Sequence, residues 1–280
     1  MTASSMPNAE PPLPLITSAR NPRIVAARKL DQRKQRREQS RFLVEGLQLL
    51  HMALDAGARP LEVFFCEGLF AGSEAPALVQ RFRQTGAELV PVSPNVMQAL
   101  SERDTPQGLV ATFALLDTPL ETLRLEKNAL VIVLDRLQDP GNMGTLIRTA
   151  DAVGAAAVIL IEPCVDPFDL KTVRGSMGSL FNLPISLTED VPGVFALVRR
   201  SALRPVGADA RLGQVYGRGV LRGGVALVLG NEARGLSDDV RPHVDAWARL
   251  PIVGKAESLN VAVAGGVLMY EWRRATELSE

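Results

Sequence analysis

Cysteine, histidine and aromatic residues are all scarce in this 280-residue chain, which has two cysteines, two histidines, two tryptophans and two tyrosines. Cys66 and Cys164 stand apart, with no second cysteine at metal-ligand spacing. That argues against a disulfide framework and for buried thiols in a reducing compartment. His51 and His243 are too few and too far apart for a zinc site or a Ser-His-Asp triad, so no metal is expected. No apolar run approaches the roughly 20 residues of a membrane-spanning helix. The first 14 residues carry Pro11, Pro12 and Pro14 without a basic-then-apolar pattern. They read as a flexible tail rather than a signal peptide, and the expected location is the cytoplasm. No G-x-G-x-x-G follows a strand and no G-x-x-x-x-G-K-[ST] is present, which disfavours the ordinary dinucleotide fold and the P-loop.

Net charge is also absent, with 31 basic and 31 acidic side chains, but its distribution is uneven. Arg20, Arg23, Arg28, Lys29, Arg33, Lys34, Arg36, Arg37 and Arg41 face only Asp31 and Glu38 over the same stretch. Such a cluster is the footprint of a phosphate-binding surface, and a solvated helix face is the plainer alternative. Asn21-Pro22 suits a helix start, and the helix is predicted to run to about Gln39. Short strands and helices then alternate to Leu115 as a small α/β sandwich. We expect a tail over 1–14, a first domain over 15–116, a linker over 117–128 and a second domain over 129–280. In that second domain strands alternate with helices, which implies a mainly parallel sheet covered on both faces.

Three segments of the second half share one style, an apolar strand running into a glycine-containing loop with polar side chains. The first follows Ala129–Leu134 and holds Asn142, Gly144, Arg148, Thr149 and Ala150, with a helix predicted from about Asn142 to Val153. Gly141 and Gly144 lack a Cβ and so let backbone approach closely. The second is Gly230-Asn231-Glu232 followed by Gly235, after the strand Val225–Leu229. The third runs from Pro251 to Ser258-Leu259-Asn260-Val261-Ala262. Ser258 reads as the N-cap of a long last helix reaching about Arg274, apolar on nearly every face. By residue type alone, Asn142 reads as an N-cap, Glu232 as a cap for a following helix, and Arg148 as a phosphate anchor.

The motifs N-x-G-x-x-x-R-T-A, G-N-E-x-x-G and P-x-x-x-x-x-x-S-L-N-V-A, in this order over roughly 129–274, resemble the SpoU (TrmH-like) branch of the SPOUT RNA methyltransferases. The elements before them, with Ser40-Arg41-Phe42-Leu43-Val44-Glu45-Gly46, resemble the L30e-like substrate-binding domain of many such enzymes. The resemblance implies an α/β fold with a C-terminal trefoil knot, and a homodimer formed through the last helix. It implies S-adenosylmethionine as methyl donor and a ribose 2′-hydroxyl as acceptor. It places Arg148, Asn142, Glu232, Ser258 and Asn260 at the reacting centre. The donor would lie against Leu229, Gly230, Ile252, Val253, Gly254, Leu259 and Asn260, largely on backbone. RNA would meet Arg20, Arg23, Arg33, Arg36, Arg37 and Arg41, with Arg174 of the Arg174–Ser179 segment as a further contact or a packing residue. The separate first domain favours large-subunit ribosomal RNA over tRNA. A non-catalytic RNA-binding or ribosome-assembly factor on the same scaffold is the alternative from another class.

Overall fold

A computed structural model describes residues 13–277; all but the last two positions of the expected tail, and residues 278–280, lie outside the described residues. The first part contains α1 (Pro22–Arg28), α2 (Arg33–Gln39), β1 (Arg41–Glu45), α3 (Leu47–Asp55), β2 (Glu62–Phe65), α4 (Glu74–Gln84), β3 (Glu88–Pro91), α5 (Pro94–Leu100) and β4 (Leu109–Ala114). The strands form one mixed sheet in the order β1-β4-β2-β3. The second part contains β5 (Leu130–Asp135), α6 (Pro140–Ala152), β6 (Ala157–Ile161), α7 (Leu170–Ser176), β7 (Ile185–Thr188), α8 (Val191–Arg200), β8 (Arg204–Ala208), β9 (Gln214–Val215), β10 (Val225–Leu229), β11 (Ala246–Arg249) and α9 (Val261–Glu277). Its seven strands run parallel throughout, in the order β7-β6-β5-β10-β8-β11-β9.

The central strands β5, β6 and β10 are fully buried runs of Val, Ile, Leu and Ala, broken only by Asp135 at the end of β5. A strand covered on both faces needs apolar residues at every position, not at alternate ones. Two helix layers provide that cover. On one side Leu146, Ile147, Leu268 and Met269 of α6 and α9 meet Ile132, Leu134, Leu227 and Leu229; on the other Val194, Phe195 and Val198 of α8 meet Val131, Val133, Ala226 and Val228.

The single helix expected over 22–39 is interrupted. Lys29–Asp31 forms a 3-10 turn and Gln32 is extended. The cause is Arg36, whose Nη1 donates to the carbonyls of Leu30 (2.7 Å) and Asp31 (2.9 Å) and holds the chain folded back there. The expected linker is not free chain either. Thr118 N donates to Ile185 O and Leu187 N to Asp117 Oδ1, which fastens the stretch to β7.

The two sheets share one core. Phe42 and Phe113 of the first part pack with Phe168 and Phe181 of the second, with ring centroids 5.1 Å apart for Phe42–Phe168 and for Phe113–Phe181. Leu170 at the start of α7 is buried among Leu43, Leu100 and Val110. The α6–α7 joint beneath it is glycine on glycine. A Cβ on Gly144 would lie 2.8 Å from the Cα of Gly175 and from Thr172 O. Side chains at either position would force these helices apart.

Candidate active site

The ends of β5 and β10 and the start of α9 meet at one point. Helix α6 begins at Pro140, with Asp139 as its N-cap, accepting from Asn142 N at 2.7 Å. This corrects the expectation that Asn142 caps the helix. Asn142 is the third residue of the helix, with its side chain free for other bonds. The signal was present in Asp139-Pro140, a good N-cap followed by a residue that suits the first helical position.

Asn260 is the cap of α9: its Oδ1 accepts from Ala262 N (2.9 Å) and Val263 N (3.2 Å). Ser258, predicted for that role, is exposed and makes no hydrogen bond among the described residues. With its oxygen committed, Asn260 has only its NH2 to offer, and it donates to Asn142 Oδ1 at 2.9 Å. Asn142 therefore accepts there, and its own NH2 donates to Glu232 Oε1 at 3.1 Å. The carboxylate also takes the backbone N–H of Gln138 (3.2 Å) and Asp139 (3.1 Å), next to the start of α6 where the helix dipole favours negative charge. No helix follows Glu232 for it to cap; it caps the approach to α6 instead.

Asn231, which the sequence reading passed over, shapes the loop that presents Glu232. Its Oδ1 accepts from Ala233 N and Arg234 N, its Nδ2 donates to Arg136 O, and its backbone pairs in both directions with Gly235. The loop closes so tightly that a Cβ on Gly230 would stand 2.3 Å from the carbonyl carbon of Gly235.

Arg148 is not in this network. It lies on the solvent stripe of α6 with Gly141 and Thr145, and its side chain has no hydrogen bond or ion pair among the described residues. Of the five candidate catalytic residues, the structure joins Asn142, Glu232 and Asn260. It leaves Arg148 on the adjoining helix surface and Ser258 in an open loop.

The residues expected to hold the donor differ among themselves. Leu229 and Gly230 are buried at the end of β10. Ile252 is half-buried, Gly254 and Leu259 are exposed, and Val253 is 100% exposed, so it forms no wall of a packed pocket. From Ile252 to Leu259 no backbone N–H or carbonyl bonds to another described residue. A loop of unengaged amides beside a glycine cradle suits a ligand held by backbone rather than by charged side chains, and the residues present fit a nucleoside-type donor.

Most of the cationic cluster has intramolecular partners. Arg36, only 3% exposed, bonds through Nε and Nη2 to Asp166 Oδ2 at 2.9 and 2.8 Å. It cannot face RNA. Arg33 bonds Glu162 and the carbonyl of Cys164, and Arg37 bonds Glu162. Arg23 and Arg41 both bond Glu62, and Arg174 bonds Glu102. Arg20 makes no side-chain bond among the described residues. Arg33, Arg36 and Arg37 thus form a clamp between the two parts of the molecule. Its acceptors lie in 162–166, next to the site: Val165 N donates to Leu137 O, Gln138 Nε2 to Pro163 O, and Leu137 N to the Cys164 sulfur. Burial pushes the Cys164 thiol up to about 12.

Comparison with known proteins agrees with this geometry. The profile of the SpoU rRNA Methylase family matches residues 129–270, and that of the MRM3-like substrate binding domain matches residues 21–111. The 23S rRNA (guanosine(2553)-2′-O)-methyltransferase RlmP of Bacillus subtilis (strain 168) is 32% identical over 92% of this chain and 98% of its own. AdoMet-bound rRNA methyltransferase from Sinorhizobium meliloti superposes with a TM-score of 0.82 at 34% identity, covering 94% of this chain and 98% of the other. The SpoU methyltransferase AviRb from Streptomyces viridochromogenes, in complex with the cofactor AdoMet, gives 0.82 at 30% identity over 91% and 98%. Matched along nearly its whole length, and by profile over the segment that carries Asn142, Glu232 and Asn260, the chain belongs to the SpoU rRNA methylase family.

Proposed function

We propose that the protein transfers a methyl group to a ribose 2′-hydroxyl of large-subunit ribosomal RNA, with S-adenosylmethionine as donor. The observation that carries this reading is the bonded series Asn260–Asn142–Glu232, which draws three distant segments to one point beside the open loop 252–259. Relatives whose names specify 23S rRNA 2′-O-methylation align over most of the chain, which supports ribosomal RNA over tRNA. The donor supplies an already activated methyl group, so the protein's work is positioning, which can contribute on the order of 7–11 kcal/mol. Gly230 and the amides of 252–259 hold the donor. Glu232 and Asn142 fix the acceptor side. Arg148, with an unpartnered guanidinium, grips phosphate or stabilises the developing alkoxide; a guanidinium is a poor base at neutral pH.

The functional unit is read as a homodimer in the cytoplasm. The outer stripe of α9 leaves Val263 (55%), Val267 (39%) and Tyr270 (56%) exposed, with Tyr216 beside them across a shallow cleft, an apolar surface that a second copy would cover. The family's trefoil knot is proposed for the segment from β10 to α9, supported by a sheet order that inserts late β10 between β5 and β8. The domain limits 15–116 and 129–280 are part of the same proposal, supported by the presence of one sheet in each range.

The test is transfer of labelled methyl from S-adenosylmethionine to deproteinised ribosomal RNA and, separately, to tRNA, followed by nucleoside mass spectrometry. Ribose-methylated nucleosides from ribosomal RNA are expected, with chelator making no difference. Label on bases alone, or no donor binding by calorimetry, overturns the reading.

A further inference from the structure

Ion pairs, in the clamp and within the first part, use up most of the cations that the sequence offered for RNA, and two of the remainder stand side by side. Arg28 and Lys29, at the end of α1, are exposed and have no ion pair among the described residues. Both line a groove of about 370 Å³ whose floor is Val25, Leu43, Leu100 and Leu170. Leu170 opens α7 in the catalytic part; the other lining residues belong to the substrate-binding part, so the groove lies on the seam between them. Lys171, the next residue on α7, is exposed and has no side-chain partner among the described residues.

The charges around the groove favour an anion. Glu102 is answered by Arg174, and its backbone N–H is spent on buried Glu45. That leaves Asp31 as the one lining carboxylate without a side-chain partner among the described residues, against lining Arg28 and Lys29, with Lys171 one residue beyond lining Leu170. Helix α7 links the groove to the helix that carries the site. From Leu170 to Gly175, α7 advances about 8 Å, and Gly175 touches Gly144 on the helix that carries Asn142 and Arg148.

We propose that this seam groove binds single-stranded RNA flanking the target nucleotide, with Arg28, Lys29 and Lys171 on its phosphates and a base against the aliphatic floor. The proposal rests on the reading of the protein as an RNA methyltransferase and names its RNA contacts. A cationic groove along a backbone track with an apolar bed for bases is the general form of a single-strand site. The volume is at the lower end of small-ligand sites, which run from about 300 Å³. Because both parts of the molecule form the groove, RNA in it reads their relative placement, and the clamp of Arg33, Arg36 and Arg37 maintains that placement. The phosphate contacts therefore lie beside the clamp, not in it.

The test is a salt titration of RNA affinity by fluorescence anisotropy, with a mixed-sequence single-stranded RNA oligonucleotide and an RNA duplex as probes. The proteins compared are wild type, the triple variant Arg28→Gln/Lys29→Gln/Lys171→Gln, and Arg41→Gln, whose guanidinium is spent on Glu62. Each lost single-strand contact flattens the slope of log affinity against log salt by about 0.7, so the triple variant is expected to lose about two units. Arg41→Gln is expected to overlay wild type. In methylation assays the triple variant should need at least tenfold more RNA for half-maximal rate, at unchanged donor affinity and saturated rate. A triple variant whose slope superimposes on wild type overturns the groove, and a change confined to the duplex overturns the single-strand assignment. If no protein methylates RNA, the enzyme reading fails, and the titration still decides the groove.

Discussion

Asn260 donates from its side-chain amide to the side-chain oxygen of Asn142 at 2.9 Å, across 118 residues of sequence. The bond has a fixed direction, because Asn260's oxygen is committed to the first turn of α9. It in turn obliges Asn142 to donate to Glu232. Asn142→Asp keeps the shape and the acceptor but removes the donor, and sets a second carboxylate against Glu232. The expected loss in methyl transfer at saturating RNA and donor is of order 10²-fold, the scale of losing one positioned hydrogen-bond donor. Single-turnover kinetics measure it. A variant within a factor of three of wild type would show that the network is structural.

Arg148 is expected to behave in the opposite way toward stability. With no partner to lose among the described residues, Arg148→Ala should leave the thermal midpoint within experimental scatter and donor affinity intact. The rate should fall by 10²–10³, the order expected when charge stabilisation in the transition state is removed. Near-normal turnover at saturating RNA would make Arg148 an anchor with no part in the chemistry.

What was legible in the sequence follows from how local each signal is. The buried runs at Leu130–Asp135 and Val225–Leu229 announce themselves as strands because both faces are covered. Strand β7 gives no such signal: it is four residues long, follows Pro184, and mixes Ser and Thr with Ile and Leu, so its only strong credential is its pairing with β6. The caps lie two or three residues from where the sequence puts them, Asp139 rather than Asn142 and Asn260 rather than Ser258, since all four are good caps by type. The larger error was Arg36. A run of arginines looks the same in sequence whether it faces water or an aspartate 130 residues away. Only the fold shows that Asp166 is its partner.

That pairing leads to a stability prediction. Arg36→Met leaves Asp166 buried without its guanidinium and frees the Leu30 and Asp31 carbonyls. Breaking one side of a buried pair typically costs about 3–5 kcal/mol, whereas replacing both partners by apolar groups can approach neutrality. Urea unfolding of Arg36→Met, Asp166→Leu and the double variant should therefore show a double-variant loss well below the sum of the singles. Strict additivity would mean that the two side chains do not act as a pair.

Gly144→Ala tests the joint between α6 and α7. The added methyl would meet the Gly175 backbone and Thr172 O at 2.8 Å, with no flexible side chain to move aside. Overpacking of this kind costs typically 1–3 kcal/mol. Because Asn142 sits on the displaced helix, methyl transfer should drop along with the urea midpoint. Full activity in a destabilised protein would show that α6 keeps its site end in place while its middle shifts.

The last expectation concerns alkaline pH. Cys164 is buried behind the 136–139 loop, with Leu137 N donating to its sulfur. Burial raises its thiol from an ordinary value of 9.0 to about 12. The unfolded chain therefore releases this proton at lower pH than the folded protein does. Between about 9 and 12 the unfolded state binds fewer protons, so stability falls as pH rises. The contribution is whole below about pH 9 and is lost as pH climbs toward 12. Comparing urea unfolding of wild type and Cys164→Ala from pH 7 to 10.5 isolates the effect, because Ala cannot titrate. The gap between the two proteins should be constant up to about pH 8.5 and narrow above it, as wild type alone loses stability. A gap that stays constant to pH 10.5 would mean that the thiol is not held protonated by the fold, and that the loop beside Glu232 is open to solvent at its back.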